Sequence, residues 1–146
     1  MKLIPILALS SLFFAIGCTN PYEETKNIGT VEAYDKFIAE NPNSRDVFSA
    51  GMEIEILMVA KARASQDIKD FDAYLTKYID NPPTKGTYDK MLGERKAALW
   101  NKALDSNKIV DWQNFIDQYN VKDVKKTRIA KQRLTVAKYL PNLQID

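Results

Sequence analysis

Three stretches of this chain repeat one pattern: VEAYDKFI (Val31 to Ile38), IKDFDAYL (Ile68 to Leu75) and IVDWQNFI (Ile109 to Ile116), at intervals of 37 and 41 residues. Each opens on an aliphatic residue, has an aromatic three positions on, and closes with an aromatic–aliphatic pair three and four positions later. The sets are Val31, Tyr34, Phe37 and Ile38; Ile68, Phe71, Tyr74 and Leu75; Ile109, Trp112, Phe115 and Ile116, with Tyr78 and Tyr119 extending the second and third. Spacings of three and four put each set on one face of a helix. A short helix with so aromatic a face cannot stand alone in water. Recurrence at this period means that neighbouring units stack to cover it.

Each short helix is followed by a breaker and a longer helical stretch. ENPNS (Glu40 to Ser44), IDNPPTKG (Ile79 to Gly86) and YNVKD (Tyr119 to Asp123) are the breakers, and Pro141 closes the last long helix. Ser44 and Thr87 suit the N-caps of the first two long helices, and Ser65 and Ser106 those of the short helices that follow them. The expectation is an all-α chain of about six helices forming three helix–turn–helix repeats behind an N-terminal signal helix. The segment AYDKFIAENPNS, an aromatic-rich helix closed by Asn-Pro-x-Ser, carries a resemblance. On it, residues 28 to 140 resemble a tetratricopeptide-like array of the kind common in bacterial envelope lipoproteins. A compact six-helix bundle is the alternative packing.

The N-terminus reads as an address. Met1-Lys2 is a minimal positive region, and Leu3 to Ile16 is an apolar run. That run is short of the roughly 20 residues that span a bilayer, and it fits the core of a secretory signal peptide over residues 1–17. The next residues, AIGC (Ala15 to Cys18), resemble the lipobox of bacterial lipoproteins. The resemblance implies that Cys18, the only cysteine, carries the acyl chains that anchor the protein. The absence of an acidic residue at Thr19 resembles the outer-membrane lipoproteins. It implies a lipid-anchored protein of the bacterial envelope, at the outer membrane and facing the periplasm. Ordinary signal-peptidase cleavage at the same bond, giving a secreted protein, is the alternative. Residues 18–27 read as the lipidated cysteine and a polar tether, and residues 28–146 as the helical-repeat domain.

Catalytic chemistry finds little support. The chain has no histidine and one cysteine, which excludes an internal disulfide and Cys/His zinc sites. Acid–base work would fall to Asp, Glu, Lys or Tyr. The close carboxylates are Glu23–Glu24, Glu53/Glu55 and Asp70/Asp72. Residues two apart on a helix diverge, so the last two pairs read as solvated faces. None of the 5 glycines is clustered into a phosphate-binding loop. The expectation is no catalytic residue, no metal, and no cofactor beyond the lipid on Cys18. Tyr34, Phe71 and Trp112 read as core, as do Leu99, Trp100 and Leu104, with Met52, Met58 and Met91 as filler.

Charge is unevenly spread. Residues 18–80 hold 7 basic and 12 acidic side chains, a balance of −5; residues 81–146 hold 13 and 7, a balance of +6. Lys122, Lys125, Lys126, Arg128, Lys131 and Arg133 crowd one predicted helix, as a partner-binding basic patch or as the solvated cap of the last repeat. The expected function is that of a lipid-anchored periplasmic adaptor that binds another envelope protein through a helical-repeat surface. The alternatives are a small envelope enzyme or a protein binding anionic saccharide in the cell wall, and an immunity or structural lipoprotein. The expected contacts are an envelope protein and, through the anchor, the membrane; nucleic acid is excluded for an exported chain.

Overall fold

The structure, a computed structural model, describes residues 20–139. The signal segment, Cys18 and Thr19 lie outside the described residues, as does Pro141. The described chain is all-α, with no strand: α1 (Pro21–Ile28), α2 (Val31–Glu40), α3 (Val47–Ser65), α4 (Ile68–Lys77), α5 (Lys85–Ser106), α6 (Ile109–Tyr119) and α7 (Val124–Tyr139).

The count is seven where the sequence leads one to expect six, because residues 21–27 form helix α1 and not an extended tether. The local reasons are strong despite the polar composition. The Asn20 side chain accepts from the Tyr22 N–H, Pro21 opens the helix, and Glu23 and Glu24 lie in the first turn, where the helix dipole favours them. Gly29 closes it in the left-handed region at φ 65. Tyr22 then packs its ring 5.4 Å from Phe37 and 6.4 Å from Tyr34.

One corner recurs three times. Each of α1, α3 and α5 ends in a left-handed residue: Gly29, Gln66 (φ 52) and Asn107 (φ 47). In each, that residue's N–H is donated to the carbonyl four residues back, at Thr25, Ala62 or Ala103, and all three of those residues are buried. Five residues after the left-handed residue comes the first aromatic of the next short helix: Tyr34, Phe71 or Trp112, at most 4% exposed. Tyr22 and Trp100 share a register too, each seven residues before its corner. Trp100 lies 5.5 Å from Trp112 and 5.1 Å from Phe115, as Tyr22 lies against Tyr34 and Phe37. Helix α1 is thus a shortened equivalent of the ends of α3 and α5.

The corners also relocate the caps. Ser65 and Ser106 are the last residues of α3 and α5, and their Oγ atoms accept the N–H of Asp67 at 3.1 Å and Lys108 at 3.2 Å. Asp67 is the N-cap of α4, and its side chain accepts from Lys69 N–H. Ser44 and Thr87 do not cap: Asp46 and Thr84 hold those positions.

The principal packing contacts all join consecutive helices, from α1 on α2 through to α6 on α7. Two buried clusters result. The first gathers Tyr34, Phe37, Ile54, Phe71, Tyr74 and Met91; the second gathers Leu99, Trp112, Phe115, Ile116 and Leu134. Helix α5 serves both, and Ile68 touches both. Ion pairs tie alternate helices together, Lys77 to Asp35 and Arg63 to Glu94, both at 2.8 Å. Several expected core positions differ. Met52, Met58 and Trp100 are only half-buried, and Leu104, at 41% exposed, turns to solvent because Leu99 and Ala103 carry the inner face of α5. Ile109 is also exposed.

Trp112 is fully buried and donates from Nε1 to Asn107 Oδ1 at 3.1 Å, which ties the third corner to the second core. Trp112→Ala is expected to cost about 3–5 kcal/mol of unfolding free energy, with Trp112→Phe recovering part of it. Urea unfolding followed by circular dichroism measures both.

Candidate functional site

Each recurring corner lines a groove. One, about 450 Å³, lies among Gly29, Val31, Leu57, Met58 and Lys61; another, about 710 Å³, among Gln66, Ile68, Ala98, Asn101 and Lys102. A third, about 640 Å³, is lined by Asn107, Ile109, Val110 and Ala137. The first two carry a matched ion pair from the long helix to the short one, Lys61 to Asp70 at 2.9 Å and Lys102 to Asp111 at 3.6 Å. Ser106 donates to Asp111 at 2.7 Å. Hydrogen bonds from Lys61 and Ser65 hold the Asp70 carboxyl below its ordinary range. Asp70 and Asp111 therefore fix corners, each held by a lysine of the preceding long helix.

Glu55 departs from the sequence reading. It is 3% exposed, not on a solvated face. Its Oε1 accepts from Tyr74 Oη at 2.8 Å and its Oε2 from Thr84 Oγ1 at 2.9 Å, linking α3, α4 and the loop into α5. Sequence spacing gave no signal for this, since the partners lie 19 and 29 residues away. Burial, with Glu55 nearby, pushes the Tyr78 phenol up to about 12, and burial with the Glu55 hydrogen bond pushes Tyr74 up further. A second network centres on Arg95, which donates to Asp72, Gln118 and the Tyr119 hydroxyl and so joins α4, α5 and α6. Glu53 and Glu55 are not brought together as a dyad, and Asp72 belongs to the Arg95 network.

The six-residue basic cluster divides. Lys126 lies over the Trp100 ring, 5.2 Å from its centroid, and together with Arg133 is half-buried. Lys122, Lys125, Arg128 and Lys131 are exposed. Arg128 and Lys131 line a depression of about 450 Å³ with Asn120, Val124 and Gln132. Asp123 at the entrance to α7 accepts from Lys126 N–H at 3.1 Å and pairs with Lys96 at 3.2 Å. Those two contacts, the backbone one foremost, lower its pKa.

Among the described residues no group of three or more Cys, Asp or Glu is gathered to hold a metal ion, and no helix is long and apolar enough to cross a membrane. Cys18, the expected lipidation site, lies outside the described residues. The chain matches no protein-family model, no curated protein and no solved structure.

Two pH limits follow. Asp70, Glu94 and Asp123 are all held below the usual carboxylate range, Glu94 chiefly by its hydrogen bond from Arg63. A carboxyl with a lower pKa folded than unfolded stabilises the fold above its unfolded value, near pH 4, and that contribution is lost as pH falls further. The raised phenols of Tyr74 and Tyr78 act oppositely: their contribution is complete below about pH 10 and drains away as pH rises towards 12. Thermal midpoints across pH should fall on both sides of this plateau, and on the alkaline side Tyr78→Phe should be less affected than the wild type. Glu55→Ala, which strands the Tyr74 and Thr84 hydroxyls, should cost about 1–3 kcal/mol at neutral pH in the same unfolding assay.

Proposed function

We propose that this chain is a lipid-anchored adaptor of the bacterial envelope, facing the periplasm, that binds a partner protein through a tetratricopeptide-like stack of helix hairpins. The observation that carries the reading is the recurrence of one corner, left-handed residue and buried aromatic included, at Gly29, Gln66 and Asn107. A chain built by repeating a corner, and packed between consecutive helices, offers extended edges and faces for peptides or partner helices. The lipobox-like Cys18 stands only three residues before Pro21, the start of α1. An anchor there would hold the stack close to the bilayer with its acidic half inward. Of the closely spaced carboxylates, Asp70 is engaged in a corner ion pair, Glu55 in the bonds to Tyr74 and Thr84, and Asp72 in the Arg95 network. Two or three acyl chains on Cys18 would suffice for stable anchorage.

The test compares wild type with Cys18→Ser in intact cells. Labelled palmitate should enter the wild type and not the variant, and membrane fractionation should release the variant. In-cell crosslinking followed by affinity capture should recover a discrete envelope protein with the wild type, joined to residues of the helical stack. Equal labelling of both forms overturns the anchor, and the absence of any specific crosslinked protein overturns the adaptor.

A further inference from the structure

Helix α7 differs from the other six. From Val124 to Tyr139 it carries six cationic side chains and no acidic one, whereas every other helix holds at least two carboxylates. Upstream, cations are largely paired: Lys61, Arg63, Lys77, Arg95, Lys96 and Lys102 all meet carboxylates. On α7, Lys125, Arg128 and Lys131 form no ion pair among the described residues, and neither does Lys122 in the turn before it. Lys125 also stands in the first turn, where the helix dipole opposes a positive charge. Two large apolar side chains of this segment stand without cover: Val121 is 88% and Val124 73% exposed, and Val124 lines the depression that holds Arg128 and Lys131. A solvated cap needs polarity, but it needs neither one sign of charge nor exposed valines.

We infer that the outer face of α7, where Arg128 and Lys131 share a depression with the exposed Val124 and Lys125 stands beside it, is the docking surface for an acidic segment of the partner protein that also carries apolar side chains. The inference rests on the adaptor reading above and names the partner chemistry. Cations alone would serve an anionic saccharide equally well. The valines distinguish the two, since an uronate polymer has no aliphatic side chain to place on them, whereas an acidic peptide with leucine or valine covers them while its carboxylates meet Arg128 and Lys131. Arg128 can hold a carboxylate in two parallel hydrogen bonds, and the lysines add attraction at longer range.

The experiment measures binding of a fluorescent peptide of glutamate and leucine to the full-length chain in neutral detergent, by anisotropy. The comparators are the same peptide with serine for leucine, and polygalacturonate as competitor. The leucine peptide should bind, more weakly as salt is raised. Lys125→Glu/Arg128→Glu/Lys131→Glu should weaken it at least about tenfold, since each reversal replaces attraction by repulsion at a close charge pair. Lys69→Glu, on exposed α4 surface, should leave it unchanged, and circular dichroism checks that each variant folds. Val124→Ser should weaken the leucine peptide and leave the serine peptide unaffected. Polygalacturonate competing as well as the leucine peptide, with no effect of Val124→Ser, overturns the inference in favour of a saccharide. No binding, or binding indifferent to the triple reversal, also overturns it. In-cell crosslinks to a protein partner at the corner grooves and not at α7 would overturn this inference while leaving the adaptor reading standing.

Discussion

The structure depends on a five-residue interval between a left-handed backbone residue and a buried aromatic ring. At Gly29, Gln66 and Asn107 the chain leaves one helix, reverses, and starts the next with its first aromatic already aimed inward. The left-handed conformation costs Gln66 and Asn107 more than it costs glycine. Each offsets that cost locally: Gln66 Nε2 donates to the Arg63 carbonyl at 2.8 Å, and Asn107 Oδ1 accepts from Trp112. The small residue four positions before each corner, Thr25, Ala62 or Ala103, lets the incoming short helix approach closely. A bulkier side chain there would push the aromatic out of its layer, so the corner and the core are one constraint.

Packing between consecutive helices has an energetic consequence. No single centre collects all the buried rings; two clusters share α5, and Ile68 bridges them. Stability is then close to a sum of nearest-neighbour terms. The buried polar groups reinforce this locality. Glu55 joins α3, α4 and the loop before α5, while Arg95 joins α4, α5 and α6. Each network staples one junction between adjacent hairpins, with every hydroxyl or amine that it buries given an acceptor.

The aromatic stripes were legible because they are periodic, and periodicity survives in a single sequence. Tyr34, Phe71 and Trp112 are buried as their spacing requires. What escaped was written in other terms. Helix α1 looked like a tether because polarity outweighs helix signals in so short a segment, although Asn20-Pro21 and Gly29 are the cap residues of a helix. Ser65 and Ser106 resembled N-caps, yet the left-handed residue that follows each moves the cap two positions on. Glu55 gave no sign of burial, since its partners are distant in sequence and only the fold brings Tyr74 and Thr84 to it. For the basic cluster, composition located the helix, and only the packing against α5 separated Lys126, lying on Trp100, from the exposed cations.

The charge asymmetry gains meaning from that separation. In the first half of the molecule, acids outnumber bases, yet several cations there are engaged by carboxylates on another helix, as Lys77 is by Asp35 and Lys61 by Asp70. Those charges contribute to the fold and are only partly available to a partner. At the entrance to α7, Asp123 is already occupied by Lys96 and by the backbone of Lys126. Nothing within the described fold requires Lys125, Arg128 and Lys131 to be cations, since glutamine or serine would solvate a terminal helix face as well. Lys125, in the first turn, is moreover opposed by the helix dipole, so the fold gains nothing from its charge.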